Sequence, residues 1–232
     1  MVQADDHTEP ELIDLYRRDA NGEQTVKLNA HLVDRLDQLD RQAAKRRGER
    51  HPSKHYGKGR WNDRQQKAQR HTPRRWAVVD ELNFLDMLPG IFFIFSRNGC
   101  DQAVEQCINA GLELTTDDEV RRIRRIVDEM VDGQLSQEDL KALHFSQFRF
   151  ALEEGFAPHH AGMVALFRQI VERLFEEGLV KVVFATETLA LGINMPARCV
   201  VVEKLEKFDG TGHVGLTPGE FTQLTGRAGR RG

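Results

Sequence analysis

KVVFATETLALGINMPARCVVVE, residues 181–203, decides how this chain folds. Lys181 to Thr186 is an apolar run ending in a small hydroxyl residue, Glu187 to Ala197 reads as a turn region, and Cys199 to Glu203 is apolar again. The pattern predicts a strand, a tight turn and a second strand. Ile91 to Phe95 is another continuous apolar run, which suits a strand of a parallel sheet covered on both sides. Ser96-Arg97-Asn98-Gly99 follows it, and in open α/β sheets that carboxyl edge is where ligands bind.

Downstream, the chain closes on QLTGRAGRRG, residues 223–232, at the end of a predicted short helix. Gly226 and Gly229 carry no Cβ, so the backbone there can bend sharply and another surface can come close. Arg227 and Arg230 stand one helical turn apart, and on a helix they would project to one side. Two planar, permanently charged forks on one face suit a polyphosphate. The alternative reading is a solvated basic turn.

Taken together, FATETLALGINMPA resembles the fifth motif of superfamily 2 helicases and QLTGRAGRRG resembles their sixth. HHAGM, residues 159–163, and FIFSRNGCDQAV, residues 93–104, complete a set similar to the DExH-box Ski/Mtr type of RNA helicase, its bacterial HelY branch in particular. The resemblance runs from Leu88 to Gly232 and does not extend with equal force to the first 75 residues. It implies a second RecA-like lobe in which Arg97 lies beside the nucleic-acid track and His160 and Gly162 lie near the sugar-phosphate backbone. Thr186 matches the threonine that contacts the strand. Gly192 and Asn194 match positions that approach the nucleotide ribose and the arginine fingers, and Gln223 matches the first residue of the sixth motif, at the nucleotide cleft.

The formal charge of −3 excludes a uniformly basic nucleic-acid binder, yet the total hides blocks. Residues 1–40 carry 10 acids and 4 bases, residues 41–75 carry 2 acids and 13 bases, and the remainder carries 24 acids and 16 bases. Cys100, Cys107 and Cys199 have no metal-like spacing, and an odd count is a poor disulfide framework, so reduced cytoplasmic thiols are expected. No stretch approaches the roughly 18 apolar residues of a membrane span, and no signal-peptide pattern opens the chain.

Along the chain, Leu12, Ile13 and Leu15 predict a short helix, and Leu28, Leu32, Val33, Leu36 and Leu39 a better one. Residues 48–75 have almost no aliphatic side chains and cannot bury enough to offset their ordering entropy. They read either as an electrostatic tether to phosphate or as a solvated linker. Val78-Val79-Asp80-Glu81 looks like a magnesium-binding run, but no GxxxxGK[ST] phosphate loop is present, and Val78, Val79, Leu82, Leu85 and Leu88 follow helical spacing up to Pro89. Residues 116–155 are helical by pattern, with Asp117 or Asp118 and Ser136 as caps. Arg121, Arg122, Arg124 and Arg125 interleave with core positions, which favours an exposed face over an RNA contact. Adjacent His159 and His160 point apart and lack a third ligand, which disfavours a metal. A helix from Val164 to Glu177 should start there, with free amides able to hold a phosphate.

The expectation is therefore an α/β, RecA-like, mostly parallel sheet with helices on both faces over residues 76–232, ending at the sixth motif. Residues 1–75 precede it as a helical, then basic and partly disordered extension. The resemblance implies the C-terminal lobe of an ATP-dependent RNA or DNA helicase. Gln223, Arg227 and Arg230 serve ATP and Mg²⁺ held mainly by a first RecA-like lobe, Gly192, Asn194 and Gly226 lie at the nucleotide, and Arg97, His160, Gly162 and Thr186 grip single-stranded RNA or DNA. The chain has neither a phosphate loop nor a DExH box, so a fragment or split gene product, inactive in hydrolysis by itself, is expected. The alternative is a non-catalytic RNA-binding or adaptor protein that keeps the lobe.

Overall fold

A computed structural model describes residues 13–14, 16–22, 24–35, 38, 73–191, 197–208 and 211–228. The chain divides into two compact units, Met1–Glu81 and Leu82–Gly232.

In the first unit Leu12 and Leu15 of the expected short helix lie outside the described residues, Ile13 and Asp14 are in neither helix nor strand, and an antiparallel hairpin of β1 (Tyr16–Arg18) and β2 (Gln24–Leu28) follows. The cause is local. The Gly22 amide donates to the Asp19 carbonyl at 3.1 Å, the Asn21 amide donates to Asp19 Oδ1 at 2.9 Å, and Gly22 takes φ +81°, so the chain reverses. Leu28 thus belongs to a strand, and helix occupies 30–35, with Asn29 Oδ1 accepting from the His31 amide at its start. The basic run at 39–72 lies outside the described residues. Helix α1 (Arg75–Phe84) buries Val78, Val79 and Leu82 and exposes Asp80, so the Val-Val-Asp-Glu run is helical as its spacing requires, though the helix stops at Phe84.

The second unit is built on a four-stranded parallel sheet in the order β4-β5-β3-β6. Its strands are β3 (Gly90–Phe93), β4 (Phe156–His159), β5 (Val182–Ala185) and β6 (Cys199–Val202). Gly90 pairs with Val182 on one side and Cys199 on the other, and Phe156 pairs with Val182. All four residues of β3 and of β5 are buried, which is why both read as unbroken apolar runs.

Helices cover both faces. Ile91, Phe93, Ala157, Val183 and Ala185 form one core with Ile123, Ile126 and Val127 of α3 (Asp117–Val131) and with Ile170, Val171 and Leu174 of the helix Ala165–Glu176. Between α3 and β4 lie α4 (Gln137–Ala142) and α5 (Phe145–Glu153); the helix Ala165–Glu176 is α6. On the other parity Phe92 and Phe184 meet at 5.2 Å between ring centres. Helix α2 (Arg97–Asn109) packs along β4 and β5 and buries Cys100, Ala103, Val104 and Cys107.

Helix starts are fixed by side chains near the expected places, one or two residues off in two cases. Ser96, not Asn98, caps α2, accepting from the Gly99 amide at 3.1 Å. Thr116, not Asp117 or Asp118, caps α3, in a capping box with Glu119. Ser136 caps α4 as expected. Gly99 itself is required by close packing, because a Cβ there would stand 2.8 Å from Ile94 Cγ2. Helix α6 ends in a Schellman turn: Gly178 takes φ +69° and its amide and that of Leu179 donate to Phe175 and Leu174.

The arginine string on α3 is an exposed, ion-paired face. Arg121 pairs with Asp118, Arg122 with Glu177, and Arg124 with the buried Glu153, which also accepts from Arg149. The Arg124 hydrogen bond, aided by Arg149, holds the Glu153 carboxyl below its ordinary pKa.

After β6 comes an unforeseen hairpin, β7 (Glu206–Phe208) and β8 (His213–Gly215), and then α7 (Pro218–Thr225), capped by Thr217 with Pro218 in its first turn. Among the described residues, no helix is long and apolar enough to cross a membrane.

Candidate functional site

Parallel strands put all their carboxyl ends on one edge, and that edge carries the residues singled out from the sequence. Arg97 is the first residue of α2, just past β3, and is exposed. Thr186 follows β5, half-buried. Its amide donates to the His159 carbonyl at 3.3 Å, and its hydroxyl lies 3.0 Å from that of exposed Thr188. His159 closes β4 and His160 opens the loop to α6.

Successive residues at a strand end point to opposite faces, so the two histidines part as expected. His159 turns toward α6, where its Nε2 lies 2.8 Å from Glu172 Oε1. His160 turns toward α2, where its Nε2 lies 3.1 Å from Asp101 Oδ1. Among the described residues no three of His, Cys, Asp and Glu converge on a metal position. Burial drives the His159 pKa below its ordinary value, against the pull of Glu172, and Nδ1 of that ring is buried without a partner.

Arg97, His160 and Gly162 come together. The Gly162 amide donates to His160 Nδ1 at 3.2 Å, and a Cβ on Gly162 would lie 3.3 Å from Arg97 Cδ. The Met163 amide donates to the His160 carbonyl, and Arg168 Nη1 donates to the carbonyls of Ala161 and Met163 at 3.4 and 3.2 Å. Two loop amides are therefore committed internally, and His160, whose side chain is 8% exposed, sits inside the loop rather than on its surface. An anion approaching here would use the first-turn amides of α6. Asp101, Glu172 and Arg168 were not singled out from sequence. Each is a polar residue within a helical pattern, and only the fold brings it to the loop.

A second cluster forms where the fifth and sixth motifs meet. Leu224 is buried, anchoring α7 against β6 and the 3₁₀ helix Glu187–Leu191, while Gln223 is exposed. Gly226 ends α7, and a Cβ on it would stand 2.9 Å from the Thr222 carbonyl. Arg227 is half-buried, and Ala228 forms an isolated parallel bridge with Ala197. The helical placement expected for Arg227 is thus corrected: the helix stops at Thr225, and the chain turns so that Ala228 pairs with Ala197. Gly192, Asn194, Gly229 and Arg230 lie outside the described residues. The donors described here, an exposed amide and a guanidinium, fit nucleotide oxygens; they do not fit a cation.

Residues 121–232 match the model of the helicase conserved C-terminal domain. The chain is 56% identical over 160 residues to a probable helicase HelY of Mycobacterium tuberculosis, covering 69% of the chain and 18% of that protein. It is 46% identical over 221 residues to the probable helicase HelY of Mycobacterium leprae, 95% of the chain and 23% of that protein. It is 37% identical over 155 residues to the antiviral helicase SKI2 of Saccharomyces cerevisiae, 67% of the chain and 12% of that protein. The chain thus spans under a quarter of the length of these curated relatives. With a parallel sheet flanked by helices and the fifth and sixth motifs bridged at its edge, this chain carries the C-terminal RecA-like lobe of a superfamily 2 helicase and belongs with the HelY and Ski2-like DExH-box helicases.

Proposed function

We propose that the chain serves as the second motor lobe of an ATP-dependent helicase in the cytoplasm, acting on single-stranded RNA or DNA with a first RecA-like lobe in cis or in trans. The observation that carries this reading is the gathering of Arg97, Gly162 and Thr186 at the carboxyl ends of three neighbouring strands, with His160 holding the loop between them. Arg97 and the Thr186 hydroxyl supply donors to phosphate and sugar oxygens, contacts that position a strand without reading its sequence.

Gln223, Arg227 and Arg230 face the nucleotide across the cleft, Gly192 and Asn194 approach its ribose, and Gly226 lets the backbone turn close to it. Mg²⁺ and ATP, held mainly by the first lobe, supply phosphoryl transfer to water. Guanidinium groups from this lobe neutralise charge developing on the transferred group, an effect worth roughly 10³ to 10⁵ in rate where such a finger acts. Closing and opening of the cleft then alternates the grip on the strand.

The test is to mix the full chain with the first RecA-like lobe of a HelY relative and follow phosphate release with and without oligouridine. RNA-stimulated turnover that falls by about 10³-fold in Arg230→Ala is expected. Absence of turnover, together with salt-dependent RNA binding indifferent to nucleotide, would instead make the chain a non-catalytic RNA-binding adaptor.

A further inference from the structure

The Gly162 amide is a donor, so the His160 Nδ1 it meets at 3.2 Å must be an unprotonated acceptor. The ring proton of the neutral imidazole is then on Nε2, and Asp101 Oδ1, 3.1 Å away, receives it. Asp101 stands one helical turn after Arg97 on α2, so a single helix presents both the exposed cation and the carboxylate that holds the loop in front of it. The two ends of this chain of contacts meet again where Gly162 packs on the Arg97 stem.

We propose that Asp101 is a positioning residue for nucleic-acid binding: acting through His160, it holds the Gly162 turn against Arg97 at the carboxyl edge of the sheet. The inference rests on the reading of Arg97, Gly162 and Thr186 as the strand grip. Three features favour a positioning role over a packing one. The Asp101 side chain is 50% exposed while the ring it holds is 8% exposed, so the carboxylate adds no core volume. The hydrogen-bond polarity is fixed from Gly162 to Asp101, so removing the acceptor leaves a buried Nε2–H unpaired and frees the ring to change tautomer. The loop is also pinned from its other side by Arg168, so the His160 bond decides its placement relative to α2 rather than whether it is ordered at all.

The experiment uses the full chain and fluorescein-labelled oligouridine, with anisotropy titrations at a temperature where circular dichroism shows each variant folded. Asp101→Ala is expected to weaken binding by about five- to tenfold, the cost of one orphaned buried donor. Asp101→Asn, whose amide oxygen still accepts from Nε2, is expected to stay within about twofold of wild type. Equal affinity of Asp101→Ala and wild type, or equal loss in the alanine and asparagine variants, overturns the proposal. Imidazole ¹⁵N NMR of the wild-type chain gives a second readout that survives a misfolded alanine variant: His160 is expected as the Nε2–H tautomer, and an Nδ1–H or averaged ring overturns the proposal. A locked tautomer with oligouridine binding unaffected by Arg97→Ala would instead sink the reading of the grip, and the positioning role with it.

Discussion

At the residue scale His159 is a buried ionisable group held through one ring nitrogen. It is 4% exposed, bonded to Glu172 through Nε2, and its Nδ1 has no partner, so a second ring proton would be buried and unpaired. Burial accordingly lowers its pKa from the ordinary 6.5, and the Glu172 carboxylate only partly offsets this. Between the folded and unfolded values the unfolded chain binds more protons, so stability is fully present above the ordinary value and is lost as pH falls through the interval. The melting temperature of the wild-type chain should therefore drop between about pH 7.5 and about pH 5.5 by more than that of His159→Gln, read by calorimetry. Parallel slopes in the two proteins would contradict this. The sequence tells that adjacent histidines diverge, since strand geometry guarantees it. It is silent on what each meets, because Glu172 and Asp101 lie 13 and 59 residues away from their partners.

At the element scale α7 matters most, because it carries Gln223 and ends beside Ala197. Its start is specified three times over. Thr217 caps the Glu220 amide, Glu220 Oε2 accepts from the Thr217 amide at 2.8 Å, and Pro218 is preset for a first turn. Glu220 also receives Lys207 of β7, tying the hairpin to the helix. The Lys207 hydrogen bond, with the Thr217 bonds, pushes the Glu220 carboxyl down to about 2, so this contribution is present above the ordinary Glu value and is lost as pH falls below it and through the folded value. Thr217→Ala should destabilise the chain by about 1 kcal/mol in urea unfolding. It should also lower RNA-stimulated turnover in the two-lobe assay, since the frayed helix positions Gln223 less well. No loss of stability would mean the cap is redundant with Pro218. This start is legible in the sequence, because Thr217-Pro218-Gly219-Glu220 puts the cap, the first-turn proline and the capping partner within four neighbouring residues. The hairpin before it was not, since β7 and β8 are three residues each and their side-chain pattern is too short to show a period.

At the scale of the whole molecule, charge and core are separated along the chain. The core residues of the lobe fall between Ile91 and Leu224, whereas residues 41–75 carry 13 bases and 2 acids. A chain shortened to residues 73–232 should unfold in one cooperative transition and bind oligouridine more weakly. Its dependence of log Kd on log salt should be shallower, since each phosphate contact on a single strand adds a slope of roughly 0.7. A slope equal to that of the full chain would show that the basic block makes no phosphate contacts.

Short-range pattern was enough to give the parallel sheet, the family and, to within two residues, the helix starts, because each is encoded within a few neighbouring residues: continuous apolar runs, caps three residues from their partners, and motifs read as strings. It missed the hairpin at 16–28, where Asp19-Ala-Asn-Gly22 reverses the chain and Leu28, expected in a helix, ends a strand. Long-range contacts alone settle that Arg227 follows a helix end instead of extending a helix, and that His160 is held from Asp101. Both depend on residues distant in the chain, Ala197 in the first case and α2 in the second, meeting at one sheet edge, and local pattern carries no information about such pairings.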